Sequence, residues 1–342
     1  MNDSRRNFLL QAAGAGAALA WQQPLLADQS TKVPADDVAL VVISLDLEMS
    51  RHFPEPNYNE WDYQKGNLND ETKQYTVEAC RRVKANGGVL HSFVVGQVLE
   101  QKNVDWLKQI LSEGHPLGNH TYDHVRITAT KLADVQYRFQ RSPWLIADMT
   151  PLQAVTDNIR LCEIAMQQRL GVKPTAFGAP YAFNDGLTGR EDLQRAILSL
   201  GYTWVTSKYN GVDLPRENPQ PKHFQAVAES LAHHQPYYYP TGLLEVPYSP
   251  VTDVGAFRGR RWTLDEYCDK LRACIDWAIE HRAVYNWCSH PSILYVKDPE
   301  FRIVETICEL VETSGGKAMI VDRAAVAARA QRQLADQKPQ GK

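Results

Sequence analysis

Several classes of protein are excluded by what the sequence lacks. No apolar run reaches the roughly 18 residues that a membrane-spanning helix needs. The 37 Lys and Arg residues do not outnumber the 40 Asp and Glu residues, so the net charge of −3 gives no basic excess for binding nucleic acid. With 20 Gly, 19 Pro and 23% charged residues in 342, the composition excludes collagen, a coiled coil and a wholly disordered chain. Neither an internal repeat nor a Ser/Gly-rich linker divides the chain, so we expect one globular domain with insertions.

Cysteine is also sparse. The cysteines form no C-x-x-C pair, which argues against a zinc ribbon and against a thioredoxin-like redox site. Most are expected to be buried small apolar residues, and no disulfide is predicted. The six are Cys80, Cys162, Cys268, Cys274, Cys288 and Cys308.

The first twenty residues have the layout of an export signal. Arg5 and Arg6 precede an Ala- and Gly-rich apolar stretch, Phe8 to Ala20, which ends in an A-x-A pattern. This order resembles a bacterial twin-arginine signal, with Leu10 standing where a lysine is usual. We therefore expect the Tat translocase to be a partner during export and the protein to be periplasmic or extracellular. The alternative to cleavage is that the segment is retained as an anchor. In either case, we do not expect residues 1–20 to form part of the folded domain.

Apolar strand patterns alternate with helical patterns along the body of the chain, which predicts an α/β fold with a parallel sheet or barrel and helices outside. We assign residues 21–37 to a linker, 38–330 to this body and 331–342 to a polar tail. Three insertions are predicted, Met49–Asn67, Val125–Met149 and Asn210–Leu243, and in such folds long insertions after strands commonly build the site. The predicted strands are Val38–Ile43, Val89–Val95, Thr175–Gly178, Tyr202–Thr206, Leu243–Val246, Ala283–Trp287 and Ala318–Val321, and the longest predicted helices are Leu68–Ala85, Pro151–Leu170 and Thr263–His281.

A histidine pair is the first candidate for chemistry. His120 and His124 stand at i and i+4 in Gly118-Asn-His-Thr-Tyr-Asp-His124, a spacing that predicts one face of a helical turn. Neutral imidazole is the commonest protein ligand of zinc, so the two side chains could share one cation. Taken alone, a histidine pair at this spacing is a weak signal for a metal site, and the alternative is two surface or core histidines.

A pair of acids follows the first predicted strand. Asp46 and Glu48 are two residues apart, so in an extended chain their side chains point to the same side. They lie at the carboxyl end of the strand, where parallel barrels carry their active sites. The alternative is an ordinary strand end that turns into a solvated loop.

Two segments together resemble the polysaccharide deacetylase family, the NodB-homology group of carbohydrate esterases. The first is VLHSFVVG at residues 89–96, and the second is EGHPLGNHTYDH at residues 113–124. The resemblance covers about Val38 to Val321. It implies a distorted (β/α) barrel with loop insertions. It also implies an enzyme that hydrolyses the N-acetyl group of amino sugars with a divalent metal ion, which is zinc in most members.

The resemblance also implies roles for the two clusters. The metal-binding histidines of the family match His120 and His124. The family's first motif has two adjacent aspartates, whereas Leu47 separates Asp46 from Glu48 here, as in a subset of members. Asp46 is then implied to be the base and Glu48 the third metal ligand, and the swapped assignment stays open.

Two further motifs are matched in part. In Phe177-Gly-Ala-Pro-Tyr181, Pro180 and Tyr181 agree with the family, and the backbone N–H of Tyr181 is implied to form part of an oxyanion hole. Gly178 stands where the family has an arginine that orients the base. His290 follows a late predicted strand and is implied to be the general acid, the alternative being a capping or packing histidine.

Three functions follow as hypotheses. The first is an exported, metal-dependent hydrolase acting on an N-acetylated glycan. The second is a hydrolase of another non-peptide C–N bond, in a small amide or a ureide, because the first and third motifs are altered. The third is a non-catalytic glycan-binding relative, against which the joint presence of the acidic pair and the three histidines argues.

Overall fold

The computed structural model describes residues 34–50 and 61–336. The export signal, most of the predicted linker and the last six residues of the predicted tail lie outside this part of the chain. Nine strands are described: β1 (Ala39–Leu47), β2 (Leu90–Val94), β3 (Leu117–Asn119), β4 (Gly178–Phe183), β5 (Trp204–Lys208), β6 (Tyr237–Tyr238), β7 (Leu244–Glu245), β8 (Val284–Ser289) and β9 (Ala318–Val321).

Helices connect most of these strands. The α-helices are α1 (Trp61–Gln64), α2 (Asp70–Ala85), α3 (Asp105–Ser112), α4 (Tyr137–Arg141), α5 (Pro151–Leu170), α6 (Glu191–Ser199), α7 (Pro221–Ser230), α8 (Leu264–His281), α9 (Pro291–Lys297), α10 (Arg302–Thr313) and α11 (Arg323–Asp336). Short 3₁₀ helices span Gly96–Glu100, Leu132–Asp134, Pro143–Leu145 and Leu231–His233, and a π-helix spans Val254–Gly259. Within the described ranges, no helix combines the length and the apolar character that crossing a bilayer requires.

The strands form a closed but irregular ring. β3, β2, β1 and β8 are neighbours in one parallel sheet, with β9 also paired to β1, and β4, β5, β7 and β6 form a second sheet. A parallel bridge between Asn119 and Phe177 joins β3 to the start of β4. On the other side, the Ser249 backbone N–H donates to the Asn286 carbonyl oxygen of β8 at 3.0 Å. This is a distorted barrel of the predicted α/β class.

Strand β1 shows how the sequence positions a site inside this ring. All nine of its residues are buried. Leu40 and Val42 pack in a cluster with residues of β2, β5, β7 and α11, whereas the alternate residues of β1 pack in the larger cluster with α2, α8 and α10. Because side chains alternate along a strand, Ser44 and Asp46 continue the inward row of Leu40 and Val42. The row changes from apolar to polar toward the carboxyl end, which is where the barrel interior opens.

Helix boundaries follow from local capping. The Thr150 side chain accepts from the Gln153 backbone N–H at 3.2 Å, Pro151 occupies the first turn of α5, and Gly171 ends it in a left-handed conformation. Thr263 and Glu266 form the same reciprocal capping box at the start of α8. These signals explain why the predicted ends of both helices agree with the structure to within one residue.

Two local predictions were wrong. The predicted strand Thr175–Gly178 instead begins at Gly178 and runs to Phe183. His120 and His124 do not share a helical turn, since strand β3 ends at Asn119 and both Thr121 (φ 58°) and His124 (φ 55°) adopt left-handed backbone angles. A tight irregular loop, rather than helical spacing, therefore brings the two histidines together.

Candidate functional site

A cluster of possible metal ligands lies at the carboxyl ends of β1 and β3. One ligand atom from each of Glu48, His120 and His124 lies within 4.8 Å of the others, and all three residues are buried. Glu48 follows β1 directly, and the two histidines follow β3. Two imidazoles and one carboxylate form a three-residue donor set that suits a divalent ion such as zinc with a position left for water.

The loop that carries the histidines is held by its own polar residues. The Asn119 Oδ1 accepts from the Thr121 backbone N–H at 2.8 Å. The Nδ1 of His120 lies 2.8 Å from the Gly178 carbonyl oxygen. A carbonyl oxygen only accepts, so Nδ1 carries the proton in this contact and Nε2 is left as the ligand atom of His120.

The protonation states of the cluster suit a cation. Burial lowers the pKa of His124 to about 3 despite the nearby Glu48 carboxylate, so its imidazole is neutral at pH 7. Burial alone would raise the pKa of Glu48, but the Lys65 ammonium, a hydrogen bond from His124 and the protonated His290 hold that pKa well below its usual range. A neutral imidazole and an ionised carboxylate are the forms that bind metal ions.

Lys65 is a member of this site that the sequence did not reveal. Its Nζ donates to the Glu48 Oε1 at 2.6 Å, and only 2% of the lysine is exposed. The other carboxylate oxygen, Oε2, contacts the His124 Nε2. Lys65 thus compensates the buried charge of Glu48 from one side while Oε2 faces the histidines.

Asp46 lies beside the cluster. Its Oδ2 accepts from the Cys288 thiol at 3.3 Å and lies 3.8 Å from the His120 Nε2. Burial, together with the Asp46 charge, raises the pKa of Cys288 well above its ordinary value, so the thiol stays protonated and donates. Among the described residues, Asp46 Oδ1 has no hydrogen-bond partner although it is buried. One oxygen of Asp46 is therefore fixed and the other is available to a bound molecule.

His290 is paired with a second buried carboxylate, Asp253. The His290 Nδ1 lies 3.0 Å from Asp253 Oδ1, and the His290 backbone N–H donates to Asp253 Oδ2 at 2.8 Å. Burial alone would lower the pKa of His290, but Asp253 outweighs it, with help from Glu48 and Asp46, and raises that pKa to about 9. The imidazole is therefore protonated at neutral pH, and Nε2, the nitrogen not bonded to Asp253, lies 3.5 Å from Glu48 Oε1.

We predict that Asp253→Asn lowers the pKa of His290 in the metal-free protein from about 9 toward its ordinary value of 6.5. The substitution removes the largest charge that favours the imidazolium, while burial continues to disfavour it. Histidine NMR titration measures the change. Asp70→Asn, at an exposed position of α2, is the matched control, and an unaltered His290 pKa in Asp253→Asn would contradict the pairing.

These side chains line one cavity of about 350 Å³, within the size range of ligand pockets. Tyr181 stands at its edge with a left-handed backbone (φ 64°), and its ring centroid lies 5.0 Å from that of His124. Pro180 is buried between Ala179 and Tyr181, which both line the cavity. The sequence-predicted residues thus meet in one place, and the cavity is lined by Asp46, Glu48, Ser50, Lys65, His120, His124, Ala179, Tyr181, Ala182, Tyr209, Tyr248, Thr252, Val254, Cys288 and His290.

Close packing against Phe93 explains why residue 178 is a glycine. A Cβ at this position would lie 2.7 Å from the Cδ1 of Phe93. The Phe93 ring is itself fixed, since His91 stacks on it at 4.7 Å and the Arg323 guanidinium lies 4.6 Å from its centroid. There is no room here for the arginine that the family carries.

An arginine reaches the same region from another element. Arg323, at the start of α11, is fully buried and donates from Nη2 to Ser44 Oγ at 2.7 Å and from Nε to Asn286 Oδ1 at 2.9 Å. Its guanidinium carbon also lies 4.9 Å from the ring centroid of Tyr248, which lines the cavity. The positive charge of Arg323 therefore lies within the barrel. It is hydrogen-bonded to Ser44, which stands two residues before Asp46 on β1.

We predict that Gly178→Ala lowers the free energy of unfolding by about 1–3 kcal/mol, because the added methyl group overpacks the Phe93 ring. Urea denaturation measures the loss. Gly211→Ala is the control, since a Cβ there has no atom of the described residues within 4 Å. Equal stability of the two variants would rule out the steric account of Gly178.

Sequence reasoning missed three neighbours of the predicted residues. Cys288 could have been found, because it lies near the end of β8, two residues before His290, and both residues line the cavity. Lys65 lies 17 positions from Glu48 and Asp253 lies 37 positions from His290, and neither spacing gives a comparable signal. All six cysteines are buried free thiols.

Comparison with known proteins supplies the family context. Residues 66–205 match the profile of the family described as polysaccharide deacetylase. No curated protein sequence matches the chain. Solved structures do: a Mycobacterium smegmatis protein described as a polysaccharide deacetylase has a TM-score of 0.58 at 14% identity, covering 87% of this chain and 93% of that chain.

Two other solved structures are similar to the same extent. The Puue allantoinase has a TM-score of 0.57 at 14% identity, with 90% of this chain and 94% of that chain covered. A Pseudomonas aeruginosa protein described as a polysaccharide deacetylase has a TM-score of 0.55 at 14% identity, with 87% and 92% covered. At this identity the likeness establishes the fold.

Proposed function

We propose that the chain, whose residues 66–205 match the polysaccharide deacetylase profile, is a metal-dependent hydrolase that removes N-acetyl groups from an amino-sugar polymer. The family match indicates a hydrolase of carbon–nitrogen bonds other than peptide bonds. The observation that carries the proposal is the meeting of Glu48, His120 and His124 within 4.8 Å. Asp46 and His290 line the cavity in which these three residues meet.

Glu48, His120 and His124 would hold the metal ion, for which zinc is the first choice. When bound, such an ion lowers the pKa of a water molecule and polarises a carbonyl group. The fit rests on this chain's own chemistry: a neutral His124, an ionised Glu48 and a His120 whose Nδ1 is committed to the Gly178 carbonyl. The assignment of Glu48 rather than Asp46 as third ligand is supported by the cluster of possible ligand atoms, which joins Glu48, and not Asp46, to His120 and His124.

Asp46 would act as the base. Its Oδ2 is held by the Cys288 thiol, and its Oδ1 has no partner within the described ranges. Oδ1 is thus the oxygen that would take the proton of the attacking water. A base of this kind contributes about 10²–10⁴-fold to the rate.

His290 would protonate the departing nitrogen, because an amine leaves poorly as an anion. The contact of its Nδ1 with Asp253 Oδ1 orients the ring and keeps it charged at neutral pH. Nε2 then carries the proton toward the substrate. The backbone N–H of Tyr181 would contribute to binding the oxyanion. Pro180, the residue before Tyr181, would restrict the backbone at this point.

The twin-arginine pattern of residues 1–20 supports a protein that is exported to the periplasm or beyond, where glycan polymers are found. Export through the Tat translocase carries folded proteins, so the metal could be bound before transport. Fusion of residues 1–37 to a reporter in a bacterium with and without this pathway tests the proposal. Export that does not depend on the pathway would contradict it.

The substrate class is tested by product analysis. Metal-loaded protein is incubated with N-acetylglucosamine oligomers, with peptidoglycan and with allantoin, and acetate and ureide products are measured separately. Acetate from a glycan supports the proposal. Turnover of allantoin alone would support the hydrolase of another C–N bond, and glycan binding without any product would support the non-catalytic relative.

A further inference from the structure

Lys270, on α8, is a fully buried cation that the proposed mechanism does not use. Its Nζ donates to the Val251 carbonyl oxygen at 3.0 Å and to the Tyr285 Oη at 3.1 Å. The same nitrogen lies 4.2 Å from the ring centroid of Tyr267. None of these partners carries a charge, so the ammonium group is held by two neutral oxygens and the face of one ring.

This arrangement is costly for the fold. Burial lowers the pKa of Lys270 to about 8, although the Asp253 carboxylate favours the charged form, and the side chain is still an ammonium ion at neutral pH. A buried charge is expensive, and an apolar side chain of similar volume in its place often leaves a protein equally or more stable. Stability therefore does not explain why residue 270 is a lysine, whereas a role at the site would.

The carbonyl that Lys270 holds belongs to the segment that leads to Asp253. Residues 246–252 form neither helix nor strand, so their position depends on individual contacts of this kind. The Tyr267 hydroxyl also donates to the Val251 carbonyl oxygen, at 3.3 Å. Two side chains of α8 thus converge on one carbonyl oxygen, two residues before Asp253.

Asp253 is the residue that this contact places. It is fully buried, its Oδ2 accepts from the His290 backbone N–H at 2.8 Å, and its Oδ1 lies 3.0 Å from His290 Nδ1. The residues on either side of it, Thr252 and Val254, line the catalytic cavity. A shift of this segment would therefore separate the carboxylate from the imidazole and move one wall of the cavity.

We propose that Lys270 is a positioning residue for His290: by holding the Val251 carbonyl, its ammonium group keeps Asp253 against the imidazole. An apolar side chain at position 270 would leave this carbonyl with the longer contact from Tyr267. The proposal rests on the proposed function, in which His290 is the acid. The placement of Asp253 can nevertheless be measured without any turnover.

The first measurement is amide hydrogen exchange in the full chain without added metal. In Lys270→Met, the His290 backbone N–H, whose acceptor is Asp253, is expected to exchange at least about 10-fold faster than in the wild type. The His120 backbone N–H, which donates to the Val94 carbonyl oxygen at 3.0 Å, is the internal control and should not change. Equal His290 exchange rates in the two proteins would overturn the proposal, whether or not the chain releases acetate.

The second measurement separates positioning from stability. Lys270→Met is expected to lower kcat for the N-acetylglucosamine tetramer by about 10–100-fold with little change in KM, because a displaced acid slows the chemical step. The midpoint of urea denaturation is expected to stay the same or to rise, since a buried charge is removed. A lower midpoint with an unchanged kcat would assign Lys270 to the fold alone and rule out the positioning role.

Two matched variants make the test decisive. Tyr285→Phe removes the other oxygen that bonds the ammonium group and leaves the Val251 contact in place, so its kcat should equal that of the wild type. A loss equal to that of Lys270→Met would show that disturbance of the buried cluster is the cause, and would overturn the proposal. Tyr267→Phe removes the second donor to the carbonyl and should lower kcat in the same direction. If Lys270→Met does not fold, an unchanged kcat in Tyr267→Phe would count against the proposal.

Discussion

The Asp46→Asn variant is expected to lose about 10²–10⁴-fold of kcat while it retains the bound metal. Asparagine preserves the shape of the side chain but cannot take a proton from water at neutral pH. The position is buried and partly fixed, since Cys288 Sγ lies 3.3 Å from Asp46 Oδ2, so the substitution disturbs little else. Steady-state acetate release and metal content per chain are the two measurements.

Glu48→Gln is the matched comparison, because it changes the neighbouring acid in the same way. It is expected to lose metal, since the neutral amide is a poor ligand and Lys65 loses the carboxylate it pairs with. The opposite pattern, with metal lost in Asp46→Asn and retained in Glu48→Gln, would show that the roles of the two acids are exchanged.

The His124→Ala variant is expected to bind the metal at least about 100-fold more weakly and to lose activity in proportion. The substitution removes one of three donors from a cluster whose ligand atoms lie within 4.8 Å of one another. Metal titration and acetate release on the same preparation measure both effects. His233→Ala, which removes an exposed histidine, should leave both unchanged.

Unaltered metal affinity in His124→Ala, with normal activity, would exclude the cluster as the metal site. Retained affinity with activity lost would instead assign His124 to substrate binding. Denaturation curves of the two variants separate these outcomes from a loss of folded protein, because His124 is buried in an irregular loop and His233 is not.

The sequence predicted the elements whose pattern is local. The buried run that begins near Val38 became β1, and the two-residue spacing of Asp46 and Glu48 correctly indicated a shared side. The starts of the helices near Thr150 and Thr263 agree with the prediction because each is set by a cap that acts within three residues of itself. The resemblance to a family supplied the barrel and the list of candidate residues, which local patterns alone could not give.

What the sequence did not predict depends on long-range contacts. His120 and His124 converge because Thr121 and His124 take left-handed backbone angles. The spacing of four residues between the histidines had instead predicted a helical turn. Asp253 pairs with His290 across 37 positions, and Arg323 bonds Ser44 across 279. Such partners are set by the closure of the barrel, and no periodicity in the chain encodes them.

The most direct test of the central claim is acetate release by one protein preparation in three states: as purified, after removal of metal with a chelator, and after addition of one equivalent of zinc. N-acetylglucosamine tetramer is the substrate. The account predicts that chelation abolishes release and that zinc restores it, with Glu48→Gln failing to recover. Acetate release that is unaffected by complete removal of metal would contradict the proposed mechanism.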